Sequence, residues 1–351
     1  MVEGTYLPYL GLDVGTGYCK AYTSSGRVMF PSLVLMRERN VWNRIKRRPM
    51  ILVGEEAEEA INERGRIIRP ISEGRILHEE AYIMLVRDAL ERLRLKPDET
   101  KAVAGTLSRV TEEELNKLES LLKKSVGIAE VQIYPATLGT LISMGLESGI
   151  ILDIGEGATN LLAVEEREIV DFSTTIVAVD AVLNAVKARL ATEYIMDLRT
   201  EEVRLLAIPM RDKLKKYTAS GVKELTSDEV RDLVKRESQY FAEEMAELLR
   251  VFLRKASTSM LENIVLTGGG AYFFEEPLKS LLPEVSFKRP SDLSFANAEG
   301  LYRVAEAIFQ EISQRIQPAQ EPTPEPPSGM QKIPGRVTIT LSEESYETPM
   351  E

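Results

Sequence analysis

Apolar and polar positions over residues 1–316 follow helical and strand-like periods in turn. Residues 111–126 predict a helix, because Thr111 and Glu114 form a capping box before leucines at helical spacing. The same signal recurs at residues 226–229, and a last helix is predicted from about 295 to 316. Between the helices lie short apolar runs that stop at glycines, as strands do. Strands that alternate with helices indicate an α/β fold.

The last 35 residues, 317–351, break this pattern. They contain seven prolines and six glutamates, which predicts a disordered tail. Within the tail, residues 336–342 alternate β-branched or leucine side chains with threonine and serine, which is the period of a short strand. Such a segment could add to an exposed sheet edge of a partner protein or a neighbouring subunit. A chance alternation in a disordered terminus is the alternative.

Composition excludes several classes of function. With 351 residues the chain suggests about two domains, and its net charge of −11 argues against direct nucleic-acid binding. Cys19 and His78 are the single cysteine and the single histidine, so a disulfide framework and a multi-histidine metal site are excluded. No apolar run approaches the length of a membrane span, and a cytoplasmic location is expected. Residues 37–48 form a local basic exception, either a contact surface or a solvated loop.

A weak internal repeat divides the body of the chain. Residues 10–17 read Leu-Gly-Leu-Asp-Val-Gly-Thr-Gly, and residues 150–157 read Ile-Ile-Leu-Asp-Ile-Gly-Glu-Gly. Both are an apolar run followed by Asp-x-Gly-x-Gly. Two copies of one strand-turn-strand unit predict two similar domains that face each other across a cleft.

The glycine turns are suited to bind an anion together with a metal ion. Glycines let successive backbone N–H groups approach an anion closely, and a carboxylate at the strand end can hold Mg²⁺ through water. Lys20 follows the first turn and could reach a phosphate. Residues 263–270 are a third element, an apolar strand that ends in Thr-Gly-Gly-Gly and offers a flat backbone surface to a nucleotide. A single turn of this kind is ordinary, whereas two could grip a polyphosphate from opposite sides.

The order Asp-x-Gly-Thr-Gly-x-x-Lys, Asp-x-Gly-x-Gly-x-Thr and apolar-Thr-Gly-Gly-Gly resembles the actin/hexokinase/DnaK ATPase superfamily. Residues 53–57 and 69–76 resemble the small first subdomain of MreB and actin, and residues 294–300 are similar to the C-terminal helix start of ParM-type and archaeal actins. The resemblance covers most of residues 9–316.

The resemblance implies two actin-like, RNase H-like domains around a nucleotide cleft, each with a smaller inserted subdomain. Domain I would span residues 1–148, with its small subdomain at about 31–77 and the C-terminal helix 295–316 packed back onto it. Domain II would span residues 149–294, with its small subdomain at about 180–260.

The resemblance also assigns roles for ATP or ADP and Mg²⁺. The expected metal residues, acting through water, are Asp13 and Asp153. The expected nucleotide-binding residues are Asp13, Gly15, Thr16, Gly17, Lys20, Gly155, Glu156, Gly157, Glu202, Gly268, Gly269 and Gly270. For Glu202 the local match is poor, and an exposed helix glutamate is the alternative.

One position departs from the superfamily pattern. Relatives carry Glu or Gln on the helix before the second phosphate loop, where it positions the attacking water, whereas the matching residue here is Ala136. Alanine cannot polarise water, so the expected catalytic residues are Asp153, Thr137 and Asn160, unless hydrolysis is slow. Nucleotide binding is therefore expected more firmly than turnover.

Three functions are compatible with the sequence. The first is an actin-like cytoskeletal ATPase that polymerises with ATP and Mg²⁺ into head-to-tail filaments for DNA segregation, cell shape or intracellular organisation. The second is a nucleotide-gated adaptor with little or no ATPase activity. The third is a small-molecule kinase of the same superfamily, which the short chain disfavours.

Overall fold

The computed structural model describes residues 8–37, 50–61, 63–208, 211–218 and 221–316. Most of the basic segment 37–48, the tail 317–351 and its strand-like segment 336–342 therefore lie outside the described residues. In the described part of the chain, no helix combines the length and the apolar character that a membrane span requires.

The first half of the chain, residues 8–143, alternates strands and helices. Its strands are β1 (Tyr9–Val14), β2 (Tyr18–Thr23), β3 (Gly26–Pro31), β4 (Val34–Arg37), β5 (Ile51–Val53), β6 (Gly65–Ile68), β7 (Ile71–Ser72), β8 (Arg75–Ile76), β9 (Lys101–Thr106) and β10 (Glu130–Pro135). Its helices are α1 (Glu55–Glu59), α2 (Glu79–Arg92), α3 (Glu112–Ser120) and α4 (Ala136–Ser143). Short 3₁₀ and π-helical turns cover Pro97–Glu99 and Leu121–Val126.

The second half, residues 149–288, follows the same plan and precedes a long C-terminal helix. Its strands are β11 (Gly149–Ile154), β12 (Thr159–Glu165), β13 (Glu168–Thr175), β14 (Lys213–Thr218), β15 (Gly221–Thr226), β16 (Ile264–Thr267) and β17 (Phe287–Lys288). The helices are α5 (Val179–Glu193), α6 (Thr200–Ala207), α7 (Ser227–Leu253), α8 (Thr258–Leu261), α9 (Ala271–Leu281) and α10 (Ala296–Ile316).

Each half contains one five-stranded sheet, and the two sheets have the same topology. The first sheet has the order β10-β9-β1-β2-β3, and the second has the order β17-β16-β11-β12-β13. In both, the first two hairpins are antiparallel and the next two pairings are parallel. This identity confirms the predicted α/β fold of two similar domains.

Two further groups of elements extend the sheets. In the first half, β4, β5 and β6 form a three-stranded sheet over a small core of its own, around Leu35 and Leu52. In the second half, helices α5, α6 and α7 share one apolar core with a face of the large sheet, so that Leu152 and Leu249 belong to the same cluster.

The C-terminal helix α10 packs against α4, β1 and β9. The approach to α4 is so close that a Cβ on Gly300 would overlap the backbone carbonyl of Gly139, so only glycine fits there. The first turn of α10 also contacts the second sheet, because Asn297 donates to Asp153 in β11.

Both predicted capping boxes are confirmed. The Thr111 hydroxyl accepts from the Glu114 backbone N–H, and Thr226 does the same for Glu229. The helix predicted for residues 111–126 is α-helical only to Ser120; its last turn widens into the π-helical turn, which buries Leu122.

Candidate functional site

The first glycine turn joins β1 to β2. It closes with a hydrogen bond of 2.9 Å from the Gly15 N–H to the Tyr18 carbonyl, and it places Asp13 opposite Lys20 in the ladder. The ammonium group of Lys20 lies 3.2 Å from the Asp13 carboxylate. Burial by itself would lower the pKa of Lys20, yet Asp13 and the nearby Asp153 outweigh it and hold the pKa above its usual value. The lysine is therefore a permanent cation at the rim of this turn.

The second glycine turn, between β11 and β12, repeats that geometry. The Gly155 N–H donates to the Ala158 carbonyl, again at 2.9 Å, and Asp153 stands opposite Asn160. The side-chain oxygen of Asn160 accepts two hydrogen bonds, from the Ser108 N–H at 3.1 Å and from the Thr174 hydroxyl at 2.9 Å. Among the described residues the Asn160 amide nitrogen has no hydrogen-bond partner, so it is available to a ligand in the cleft.

Asp153 is buried at the end of β11, where only 6% of its surface is exposed. Its Oδ2 atom accepts a hydrogen bond of 2.8 Å from the side-chain amide of Asn297. Burial raises the pKa of Asp153, the Asn297 hydrogen bond opposes that rise, and the Asp13 charge adds to it. A cation between the two carboxylates would therefore relieve an unfavourable arrangement of charge.

The third loop, residues 268–270, lies beside the second turn. Gly268 has a φ of +86°, and a Cβ there would collide with Asp153 and with the backbone of Ile154. The Gly270 N–H donates to the Ile154 carbonyl at 2.8 Å, which fixes the loop against the strand end. Gly269 has open space where its side chain would be. The loop thus presents bare backbone to the cleft.

The three loops surround one cavity of about 670 Å³. A volume of this size suits a nucleotide or another ligand of several hundred daltons. The predicted site residues that line it are Asp13, Gly15, Thr16, Gly17, Lys20, Asp153, Gly155, Glu156, Gly157, Asn160, Gly268, Gly269 and Gly270. Residues of the β7–β8 hairpin and of α3 also line the cavity.

The donors fit a hydrated magnesium ion better than a fully protein-ligated metal. The described residues contain no cluster of three or more His, Cys, Asp or Glu side chains that could hold a metal. Asp13 and Asp153 are a pair of carboxylates on facing strand ends. Mg²⁺ typically keeps several waters and takes one or two carboxylates together with substrate phosphates, which matches this pair.

Glu156 brings a carboxylate into the second turn, and the structure neutralises it. Its carboxylate lies against Gly17 of the first turn, so the two turns touch. Arg69 donates to it at 3.2 Å, and the buried Arg204 forms a second ion pair with it. Arg69 also donates to Glu201 at 3.3 Å, so one guanidinium from the first half connects two acidic residues of the second. Neither arginine can be recognised as a site residue in the sequence, because both are distant in sequence from the turns.

Three positions considered in the sequence supply no polar side chain to the cavity, namely Glu202, Thr137 and Ala136. Glu202 is only 8% exposed, so the alternative of an exposed helix glutamate is wrong. Its carboxylate accepts from the Arg199 N–H at 2.8 Å and from Lys216 at 3.0 Å, and it does not line the cavity. Thr137 is also outside the lining, since its hydroxyl is buried 3.0 Å from that of Ser108. Ala136 does line the cavity, at the first position of α4.

Two sheets of identical topology around such a cleft define the actin-like fold, and solved structures share it. MreB5 of Spiroplasma citri bound to AMPPNP matches with a TM-score of 0.68 and 21% identity, over 88% of this chain and 99% of that one. The same protein bound to ADP matches with a TM-score of 0.68 and 21% identity, over 87% and 98%. A MamK double helical filament matches with a TM-score of 0.72 and 20% identity, over 85% and 98%. The chain matches no protein-family model and no curated protein in sequence. At these identities the likeness shows the fold.

Proposed function

We propose that this protein is an actin-like cytoskeletal ATPase that binds ATP with Mg²⁺ in the cleft and assembles head-to-tail into filaments. Gly15, Thr16 and Gly17 cradle the β-phosphate, and Lys20 lies across the phosphates. The backbone of residues 155–157 approaches the γ-phosphate, and residues 268–270 lie under the adenosine. Asp13 and Asp153 hold the magnesium ion through water.

The observation that carries this proposal is the pairing of two equivalent turns around one cavity. Each turn closes with the same 2.9 Å hydrogen bond, each begins with the Gly of an Asp-x-Gly sequence at a strand end, and the two touch at Glu156 and Gly17. Two backbone nests that face each other can hold a polyphosphate from both sides. The solved structures with the same fold include one bound to AMPPNP, one bound to ADP and one filament, which supports both the ligand and the assembly.

Hydrolysis is proposed to be slow and to depend on Asn160. Orientation of the attacking water is one of the few tasks that phosphoryl transfer leaves to the protein. Ala136 cannot perform it, and Thr137 lies outside the cavity lining with its hydroxyl 3.0 Å from that of Ser108. Asn160 lines the cavity, and its amide nitrogen would orient the water, while Asp153 orders the metal and its waters.

Sedimentation tests assembly. The protein is centrifuged at high speed with Mg-ATP, with Mg-ADP and without nucleotide, and we expect a pellet that is largest with Mg-ATP. Nucleotide can produce this difference only if its affinity for the assembled state differs from its affinity for the free subunit. A protein that stays in the supernatant under all three conditions, although it binds nucleotide, would contradict the filament.

A nucleotide-gated adaptor is the second candidate, and Ala136 favours it. An adaptor needs a cleft that changes with nucleotide but no group that activates water. Phosphate release separates the two functions. A filament-forming ATPase releases phosphate as it assembles, whereas an adaptor binds ATP and releases essentially none.

The basic segment 37–48 is proposed as part of the subunit contact. It carries six basic residues and one glutamate on a protein of net charge −11. A head-to-tail contact between this segment and an acidic surface would be heterologous, so it would propagate into a filament, and salt would weaken it. Replacement of Arg44, Lys46, Arg47 and Arg48 with Ser should raise the critical concentration for assembly. An unchanged value would leave the segment as a solvated loop.

The tail segment 336–342 is proposed to add as a strand to an exposed sheet edge in a partner protein or a neighbouring subunit. A neighbouring subunit offers β13, which pairs with β12 alone among the described strands and exposes Val170 and Phe172. Deletion of residues 317–351 should leave nucleotide binding unchanged, because the phosphate loops lie upstream. If the truncated protein also assembles normally and loses no partner from its native extract, the docking segment has no such role.

A further inference from the structure

The first helical turn of α10 contributes a polar side chain to the cleft, in addition to the residues of the three glycine loops. Asn297 is 9% exposed and lines the cavity, although the helix that carries it packs on the first sheet. Its amide nitrogen donates to Oδ2 of Asp153, which ends a strand of the second sheet, at 2.8 Å. Asn297 therefore connects the two halves at the wall of the cavity.

A second buried hydrogen bond sets the orientation of this amide. The Thr140 hydroxyl on α4 donates to the Asn297 carbonyl oxygen at 2.7 Å, and it lies 3.4 Å from the Thr267 hydroxyl at the end of β16. An ionised carboxylate only accepts hydrogen bonds, so the amide must turn its N–H₂ group toward Asp153. Because the Asn297 oxygen accepts from Thr140, the amide has one favourable orientation. Its N–H₂ group then restrains the Asp153 carboxylate through the hydrogen bond to Oδ2.

The charges around Asp153 explain why a neutral donor suits this position. Among the residues that the structure describes, two charged groups face the carboxylate, Asp13 from β1 and Lys20 from β2, and Lys20 is already paired with Asp13. A second cation beside Asp153 would compete electrostatically with a bound metal. An amide restrains the carboxylate without a net charge, so the pair Asp13 and Asp153 keeps its attraction for Mg²⁺.

We propose that Asn297, oriented by Thr140, is a positioning residue for the metal-binding carboxylate Asp153. It fixes one carboxylate oxygen through the amide, so that the side chain is already placed when the hydrated ion arrives. This role rests on the proposed function, since it requires Mg-nucleotide in the cleft. Partners that orient metal-binding side chains in this way typically contribute 10- to 100-fold to metal affinity.

The test measures the benefit that Mg²⁺ brings to nucleotide binding. Isothermal titration gives the Kd for ATP and for ADP, each with Mg²⁺ and with EDTA, for the full chain and for Asn297→Ala. We expect the variant to lose about 10-fold or more of the Mg²⁺-dependent gain in affinity, with the metal-free Kd unchanged. Thr140→Val should lose a smaller part of the gain, and Thr140→Ser, which keeps the hydroxyl, should behave as the wild type.

The outcomes separate this role from a structural one and from the proposed function itself. A loss of affinity that is equal with and without Mg²⁺, together with a lower Tm, would make Asn297 a packing residue and overturn the proposal. An unchanged Mg²⁺ gain in both Asn297→Ala and Thr140→Val would overturn it as well. If Asn297→Ala does not fold, the Thr140→Val and Thr140→Ser pair decides. A wild-type protein that binds no nucleotide under any condition would instead refute the proposed function.

Discussion

The two glycine turns are built alike but carry different chemistry. Both close with the same hydrogen bond, and both place a residue of the next strand opposite an aspartate. In the first turn that residue is Lys20, so the Asp13 carboxylate is paired with a cation. In the second it is Asn160, and Asp153 is held by a neutral amide from α10. One backbone design therefore places a cation beside the aspartate on one side of the cleft and polar, uncharged groups beside it on the other.

The middle positions of the two turns differ as well. Thr16 is neutral, whereas Glu156 is acidic and is paired with Arg69 and Arg204. A largely buried acidic side chain would be unfavourable if it were unpaired. The two halves therefore share the backbone geometry of the turn, while residues on neighbouring elements neutralise the charge of its side chains.

The largest expected effect comes from the carboxylate of the first turn. Asp13→Ala should reduce Mg²⁺-dependent nucleotide affinity by about 100-fold or more, because one of the two carboxylates for the ion is lost. Isothermal titration with Mg-ATP measures it, and circular dichroism checks that the fold is intact. Asp232→Ala, at an exposed helix position, is the matched control. Unchanged affinity in Asp13→Ala would remove this residue from the site.

The second turn should matter more for turnover than for binding. Asn160→Ala should lower the rate of phosphate release by about 100-fold, since it removes a polar donor near the attacking water, while the Kd for ATP changes little. Single-turnover phosphate release and titration on the same preparation separate these quantities. Equal losses in the rate of phosphate release and in ATP affinity would mean that Asn160 contributes to nucleotide binding alone. The two turns would then not differ in function.

Lys20→Met tests the role of the cation in the first glycine turn. The variant keeps the length of the side chain but loses the cation, so ATP affinity should fall by about 10-fold. The wild-type affinity should also weaken more steeply with salt than that of the variant. A variant with the same salt dependence as the wild type would show that Lys20 pairs with Asp13 and makes no phosphate contact.

The smallest effects should come from the two capping boxes, one in each half. Thr111→Ala and Thr226→Ala should each lower the free energy of unfolding by about 1 kcal/mol, because each leaves a helix N–H unpaired. Thr→Ser at the same positions keeps the hydroxyl and serves as the control. Denaturant unfolding gives the stability, and nucleotide affinity should not change. A changed affinity would mean that a helix start is coupled to the cleft.

Much of the fold and the loop geometry could be predicted because the signals are local. The hydrogen bond that closes the first turn joins Gly15 to Tyr18, three residues apart, and the capping boxes span the same distance. Glycine spacing and helix caps are therefore readable in a short window. The repeat of Asp-x-Gly-x-Gly 140 residues later then indicates a second, similar domain.

Side-chain partners across the cleft could not be predicted in this way. In the sequence, Glu202 cannot be distinguished from an exposed helix glutamate. In the fold it is buried, and its carboxylate accepts hydrogen bonds from the Arg199 N–H and from Lys216. Thr137 is one of three candidates to orient the attacking water, yet its buried hydroxyl lies 3.0 Å from that of Ser108 and the residue does not line the cavity. Both outcomes depend on which elements pack together, and a local pattern carries no such information.

The sequence by itself determined the positions of the three glycine loops, the alternation of strands and helices and the presence of two related halves, because backbone conformation responds to neighbouring residues. Only the tertiary structure decided which groups complete the site. Asp153 and Asn297 are 144 residues apart and meet because glycines let α4 and α10 cross closely. Hydrogen bonds and ion pairs act over a few ångströms in space, so residues distant in sequence acquire their roles only when the chain has folded.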